Sequence, residues 1–265
     1  MSRAIVSRPA GTEAKGAKAV KAAKAGKGSK ATKIKNLYLR QSELPLHSLV
    51  FLLPLLFIFE VGSYFHPSDP IAFRLLQVFF TQLGASGRLI PGFALVVILL
   101  SWHMARRDPW TIRLETIWGM AMESMTLAIP LLALGISSAR WNIHVPLWGR
   151  ADAWRDETIL SLGAGIYEEL VFRLMLMTVL MLIFSDLLGF SKLWSGLLMV
   201  SISAVLFSLY HYLGHEAFQW QSFAFRTLAG IYFAGLFLTR GFGITAGCHI
   251  SYDIMIVALQ ALAVH

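Results

Sequence analysis

Charge is what this sequence lacks. Asp, Glu, Lys and Arg make up 14% of its 265 residues and hydrophobic residues 56%. An average soluble domain is about 25% charged. That balance excludes an ordinary soluble globular domain and points to a chain of several membrane spans. Cysteine is almost missing. The single Cys248 excludes an intrachain disulfide and any zinc site built on several cysteines. Acid is scarce at the start of the chain. Residues 1–40 hold 11 of the 23 Lys and Arg but one acid, Glu13, whereas residues 41–265 carry 12 basic and 14 acidic residues. The formal charge of +8 therefore belongs to a tail and not to the fold.

That tail, residues 1–36, is a low-complexity run of Lys, Ala and Gly with lysine recurring about every third position. It has no apolar stripe to bury, so disorder is expected. No apolar h-region follows within its length, so it does not read as a signal peptide. It reads as a basic cytoplasmic tail on anionic lipid, where each lysine contributes about 1 kcal/mol. It is similar to the basic tails of linker histones. No aromatic residues interleave its lysines to stack on bases, and nucleic acid is not the expected partner.

Apolar runs predict an all-α, multi-span transmembrane helical bundle of about seven transmembrane helices plus one interfacial helix. Spans are expected over about 46–65, 89–105, 116–136, 157–184, 193–213, 223–239 and 242–264. Residues 71–83 are too short to cross and carry Arg74, Gln77 and Gln82, which suits an interfacial helix. Residues 137–156 hold Trp141, Trp148 and Trp154 and read as a loop in the headgroup belt. Gly241 and Gly243 are expected to form the last turn. The implied organisation is a tail (1–40), an N-terminal transmembrane region (41–156) and a C-terminal one (157–265). Without the tail, basic residues divide evenly between the two sides. The tail then places the N-terminus in the cytoplasm. The chain reads as a multi-pass integral membrane protein, of the inner membrane if the source is bacterial.

Three of these spans carry ionisable residues at matched spacing. The fourth has Glu168, Glu169 and Arg173. The fifth has Phe207 and His211. The seventh has His249 and Asp253. The i,i+4 members share a helix face, so Glu169 can pair with Arg173. Left in lipid, the six ionisable side chains would cost on the order of 10 kcal/mol or more. That rivals the stability of a whole domain, so they are expected to converge on one polar cavity. A carboxylate taken out of water is a better general base near neutral pH, and histidine can donate to a developing oxyanion. This set offers both without a serine or cysteine nucleophile.

The order Glu-Glu-x-x-x-Arg, Phe-x-x-x-His, His-x-x-x-Asp resembles the three signature motifs of the CAAX protease and bacteriocin-processing family of intramembrane endopeptidases, which includes the type II CAAX prenyl endopeptidase. The match covers residues 157–257. The resemblance implies that Glu168 activates a water, that His211 helps hold it, that Glu169 and Arg173 brace the site, and that His249 with residue 253 stabilises the oxyanion. The family often has Asn where this chain has Asp253. An ionised Asp cannot donate, so Asp253 is expected to orient the His249 ring instead. The partners implied are membrane lipid and a peptide or protein substrate, lipidated or not. No cofactor is expected; the lesser reading is a zinc ion on Glu169, His211 and His249, or on the His211-x-x-x-His215 pair. Two other functions fit the same scaffold: a non-catalytic immunity or maturation factor, and a proton- or ion-coupled transporter. The transporter is disfavoured by the lack of an internal repeat. Glu60, Glu123 and Arg226 are expected to be inter-helix or helix-end polar residues. Gly163, Gly165, Gly230 and Gly235 are expected at close helix contacts, and Tyr167 and Phe207 as cavity walls.

Overall fold

The computed structural model describes residues 36–65, 69–139, 154–214 and 216–263. The tail to residue 35, most of the 137–156 connection, including Arg140, Trp141, Pro146, Trp148 and Arg150, and His215 lie outside the described residues. All regular structure among the described residues is helical. Gln41–His265 form one compact unit. Its helices are α1 (Pro45–Phe65), α2 (Ile71–Gln82), α3 (Ile90–Arg106), α4 (Leu114–Ala139), α5 (154–187), α6 (Lys192–Tyr210), α7 (220–240) and α8 (242–263). A 3-10 turn, His211–Leu213, closes α6.

Local chemistry sets several of these ends. Pro91 sits in the first turn of α3, where its missing N–H costs nothing. Arg107 ends α3 in the left-handed region at φ 55 and donates its N–H to the Met104 carbonyl. Ser191 caps α6, its hydroxyl accepting the Trp194 N–H at 3.4 Å. Within α5 the helix is α-helical to Glu169, then π-helical over Leu170–Met177 and again over Leu182–Leu187. Widened turns of this kind gather at functional sites. Here they follow directly on the paired glutamates.

The helical trace from Trp220 to Ala263 breaks at Gly241, whose φ 79 and ψ 178 suit glycine and almost no other residue. The chain reverses there. Phe233 stacks on His249 with ring centroids 4.5 Å apart. In an unbroken helix those residues would stand about 24 Å apart. α7 and α8 are thus an antiparallel hairpin turning at Gly241. Gly243 lies within α8 instead of in the turn, packed on the backbone of Ser48. Five stretches are long and apolar enough to cross a membrane, the last of them Trp220–Leu262. Counting that stretch as the two arms of the hairpin and adding the 17-residue α3 gives the seven spans the sequence implies. α2 is the short helix expected between the first two, and its inner face reaches the core: Ala72 and Phe73 are fully buried.

α5 and α8 are the centre of the unit. Gly163 lies against the Phe59 ring of α1, and Gly165 against the backbone of Ile250 in α8. Gly230 lies against Ala204 of α6 in the same way. Gly235 does not share this role, because a Cβ there would meet nothing within 4 Å. The pair makes a contrast. Gly165→Ala, whose Cβ would overlap the Ile250 side chain and stand 2.9 Å from its backbone N, is expected to lose about 1–3 kcal/mol by overpacking. Gly235→Ala is expected to be neutral or to gain a few tenths of a kcal/mol from helix propensity, up to about 1. Thermal unfolding of the two variants side by side checks both.

Polar residues outside the central cluster tie the bundle together, Glu60 and Glu123 between helices as expected and Arg226 between α7 and the loop before it. Glu60 accepts the Tyr167 hydroxyl at 2.7 Å. Arg240, beside the hairpin turn, reaches Glu123 of α4 at 2.6 and 2.8 Å and Ser42 at 2.9 Å. Arg226 holds Glu216 at 2.7 and 3.0 Å. Tyr167 is not a cavity wall. It is fully buried between Phe59 and Phe73, because its hydroxyl finds Glu60 inside the bundle.

Candidate active site

The six ionisable residues singled out in the sequence meet at one place. α5 supplies Glu168, Glu169 and Arg173, the end of α6 supplies His211, and α8 supplies His249 and Asp253. Glu168 is 6% exposed and His249 5%, while Glu169 and Arg173 are fully buried. The hairpin at Gly241 is what allows this, since it returns α8 alongside α7 and lays His249 on Phe233.

Glu169 and Arg173 form the expected pair, Oε2 to Nε 3.0 Å. The guanidinium also stacks over the Phe207 ring, 4.4 Å from its centroid, and donates to the Gly230 carbonyl at 3.3 Å. The other oxygen of Glu169 faces His249 Nδ1 at 2.8 Å. A carboxylate accepts, so Nδ1 carries the proton and Nε2 points into the cavity. Glu169 therefore orients the His249 ring, the task expected of Asp253. Asp253 stands on the opposite edge, Oδ2 3.6 Å from Nε2. The reason is directional: one helical turn from His249, Asp253 comes up on the cavity side, while the inner edge of the ring meets α5.

His211 Nδ1 lies 2.7 Å from the Phe207 carbonyl. A carbonyl only accepts, so Nδ1 donates and Nε2 keeps its lone pair when the ring is neutral. That nitrogen is 3.8 Å from Glu168 Oε2, and His249 Nε2 is 3.9 Å from the same oxygen. Glu168 Oε2 has no hydrogen-bond partner among the described residues. Glu168 Oε1 accepts the Tyr210 hydroxyl at 3.2 Å.

Beside this cluster lies a cavity of about 650 Å³. Phe207, as expected, is one of its walls, with Phe225, Phe233 and Tyr252. His211, His249 and Asp253 face it, and Arg74, Glu157 and the Arg226–Glu216 pair also line it. Apolar walls with a few convergent polar groups are the make-up of a substrate pocket.

The zinc set read from the sequence does not match this geometry. Glu169 has its oxygens on Arg173 and His249 Nδ1, away from the point where the two Nε2 atoms converge. Among the described residues no group of three or more His, Cys, Asp or Glu side chains is arranged to hold a metal ion. His215 lies outside them.

Tyr210 and Phe233 carry no motif signal and were missed in the sequence. For Tyr210 a signal existed: a tyrosine in an apolar span needs a partner for its hydroxyl, and this one adjoins His211. For Phe233 none existed, because its contact with His249 depends on the hairpin.

Residues 154–255 match the protein-family model described as Type II CAAX prenyl endopeptidase Rce1-like. The matched segment contains all three motifs and every residue of the cluster. No curated protein and no solved structure matches the chain. The resemblance to the CAAX protease family seen in the motifs is thus met by an independent match over the same stretch. The chain is an integral membrane protein, and its residues 154–255 are similar to a CAAX prenyl endopeptidase family.

Proposed function

We propose, with the Rce1-like type II CAAX endopeptidase match over residues 154–255 as premise, that this chain hydrolyses a peptide bond at the membrane with a water activated by Glu168. The observation that carries the reading is the convergence of Glu168 Oε2, His211 Nε2 and His249 Nε2 at the wall of an apolar cavity.

Each group has a task that fits its position. A water held between Glu168 Oε2 and His211 Nε2 gives its proton to the carboxylate as its oxygen attacks the scissile carbonyl. Protonated Glu168 then passes that proton to the departing amine nitrogen, and the C–N bond breaks. His249, in its protonated form, presents Nε2–H to the oxyanion, with Glu169 taking the Nδ1–H behind it. Asp253 accepts and flanks that nitrogen; it does not donate to the oxyanion. Arg173 neutralises Glu169 and holds it still. The reaction needs no metal on this account.

The test uses purified full-length protein in lipid nanodiscs with a library of membrane peptides. It includes farnesylated Cys-a-a-X peptides and their unprenylated counterparts, with products mapped by mass spectrometry. Cleavage by wild type, lost in His211→Ala, supports the reading. A protein that cleaves nothing in the library, or a His211→Ala variant as active as wild type, counts against it. With a cleaved peptide in hand, incubation with a strong chelator is expected to leave turnover within about twofold. Activity abolished by chelator and restored only by zinc would overturn the metal-free account.

A further inference from the structure

We infer that Tyr210 is a positioning residue for Glu168 and that through it the N-terminus of α2 is tied into the site; this rests on the reading of Glu168 as the base. The Tyr210 hydroxyl makes two buried contacts. It donates to Glu168 Oε1 at 3.2 Å and accepts the backbone N–H of Ala72 at 2.6 Å. Tyr210 is 5% exposed and Ala72 is fully buried. A phenol has one proton to give. With Ala72 N–H occupying its acceptor side, that proton is left for Glu168.

The Ala72 contact has its own cause. Ala72 is in the first turn of α2, where backbone N–H groups have no acceptor within the helix. Pro70 stands at the N-cap and offers no side-chain cap. Tyr210, 138 positions away in sequence, is the acceptor instead. The N-terminus of a helix carries partial positive charge. A hydroxyl that accepts from it is polarised into a stronger donor on its other side. The ring is held for this by Phe172, 5.0 Å away centroid to centroid.

The consequence falls on the other oxygen of Glu168. With Oε1 held by Tyr210, Oε2 is the oxygen turned to both histidine Nε2 atoms. A glutamate has three side-chain torsions, and without this hold its carboxylate has freedom to rotate away from the water it must deprotonate. α2 is therefore more than a membrane-surface helix. Its first turn fixes a hydroxyl, which fixes the base.

Tyr210→Phe removes the oxygen and keeps the ring. On the peptide that wild type cleaves, kcat is expected to fall about 10–100-fold while KM stays within about twofold. In a Glu168→Gln background the same substitution is expected to change the residual rate less than twofold, since the effect passes through Glu168. A Tyr210→Phe protein with wild-type kcat per folded molecule overturns the inference, as does a loss confined to KM. Either result would leave Tyr210 as only a cap for α2. A Glu168→Gln variant with wild-type turnover is a different failure, that of the base itself, and takes this inference with it. Should Tyr210→Phe not fold, trifluorotyrosine at 210 keeps the shape and strengthens the donor. It should weaken the base and lower kcat about threefold or more at fixed pH with KM unchanged, and an unchanged kcat overturns the inference.

Discussion

Replacing Arg173 with methionine is expected to cost about 3–5 kcal/mol, enough to leave little folded protein. Arg173 and Glu169 are both fully buried and paired at 3.0 Å. Removing the cation strands an anion in the interior, where water cannot replace its partner. The loss extends beyond charge, because the guanidinium stacks on Phe207 and Phe233 and donates to the Gly230 carbonyl. α5, α6 and α7 lose a shared anchor together. The partner substitution separates these contributions. In Glu169→Gln with Arg173→Met no charge is stranded, and about half or more of the lost stability is expected to return. Activity is not expected to return with it, since a neutral glutamine behind Nδ1 no longer supports a protonated His249 against an oxyanion. Thermal unfolding in detergent measures the first effect, and turnover of the double variant measures the second.

Glu168→Gln is expected to lower kcat by about 10³-fold or more and to leave stability almost unchanged. The substitution keeps the shape and keeps an oxygen to accept from Tyr210. It removes only the ability to take a proton. General acid–base groups contribute about 10²–10⁴ in rate. In the proposed mechanism one carboxylate both takes the proton from water and gives it to the amine, so the upper part of that range is expected. Stability should hold because Glu168 Oε2 has no hydrogen-bond partner among the described residues that glutamine would lose. The two neighbouring carboxylates thus fail in opposite ways when disturbed. On the proposed mechanism, disturbing the Glu169 pair is expected to unfold the protein and disturbing Glu168 to silence it.

Spacing alone allowed Glu169 to pair with Arg173, while the role of Glu168 as base is what the family resemblance implied. Glu169 and Arg173 are one turn apart and pair. Glu168 points elsewhere, towards the histidines. The cost of six charged or polar groups in lipid was enough to require that α5, α6 and α8 converge, since each residue stands on a run too apolar to expose it otherwise. The tasks of Glu169 and Asp253 around His249 were not legible. Spacing puts Asp253 on the same helix face as His249 but does not say which ring edge it meets. The nearer acceptor, Glu169, comes from another helix. Tyr210 was hidden for the same reason, its partners being 42 and 138 positions away. The turn was half legible: two glycines marked it, and only the φ of Gly241 shows which one bends the chain. Gly243 and Gly165 show the other use of the residue, a backbone that lets another helix in.

The central claim is that Glu168 performs the proton transfer that cleaves the peptide bond. The most direct measurement is single-turnover cleavage with enzyme in excess over a peptide that wild type cleaves, in the same nanodiscs, for wild type and Glu168→Gln. Such a reaction reports the bond-breaking step apart from substrate capture and product release. The account predicts that the variant binds the peptide within about twofold of wild type and cleaves it about 10³-fold more slowly or worse. Cleavage by Glu168→Gln at the wild-type rate would contradict it.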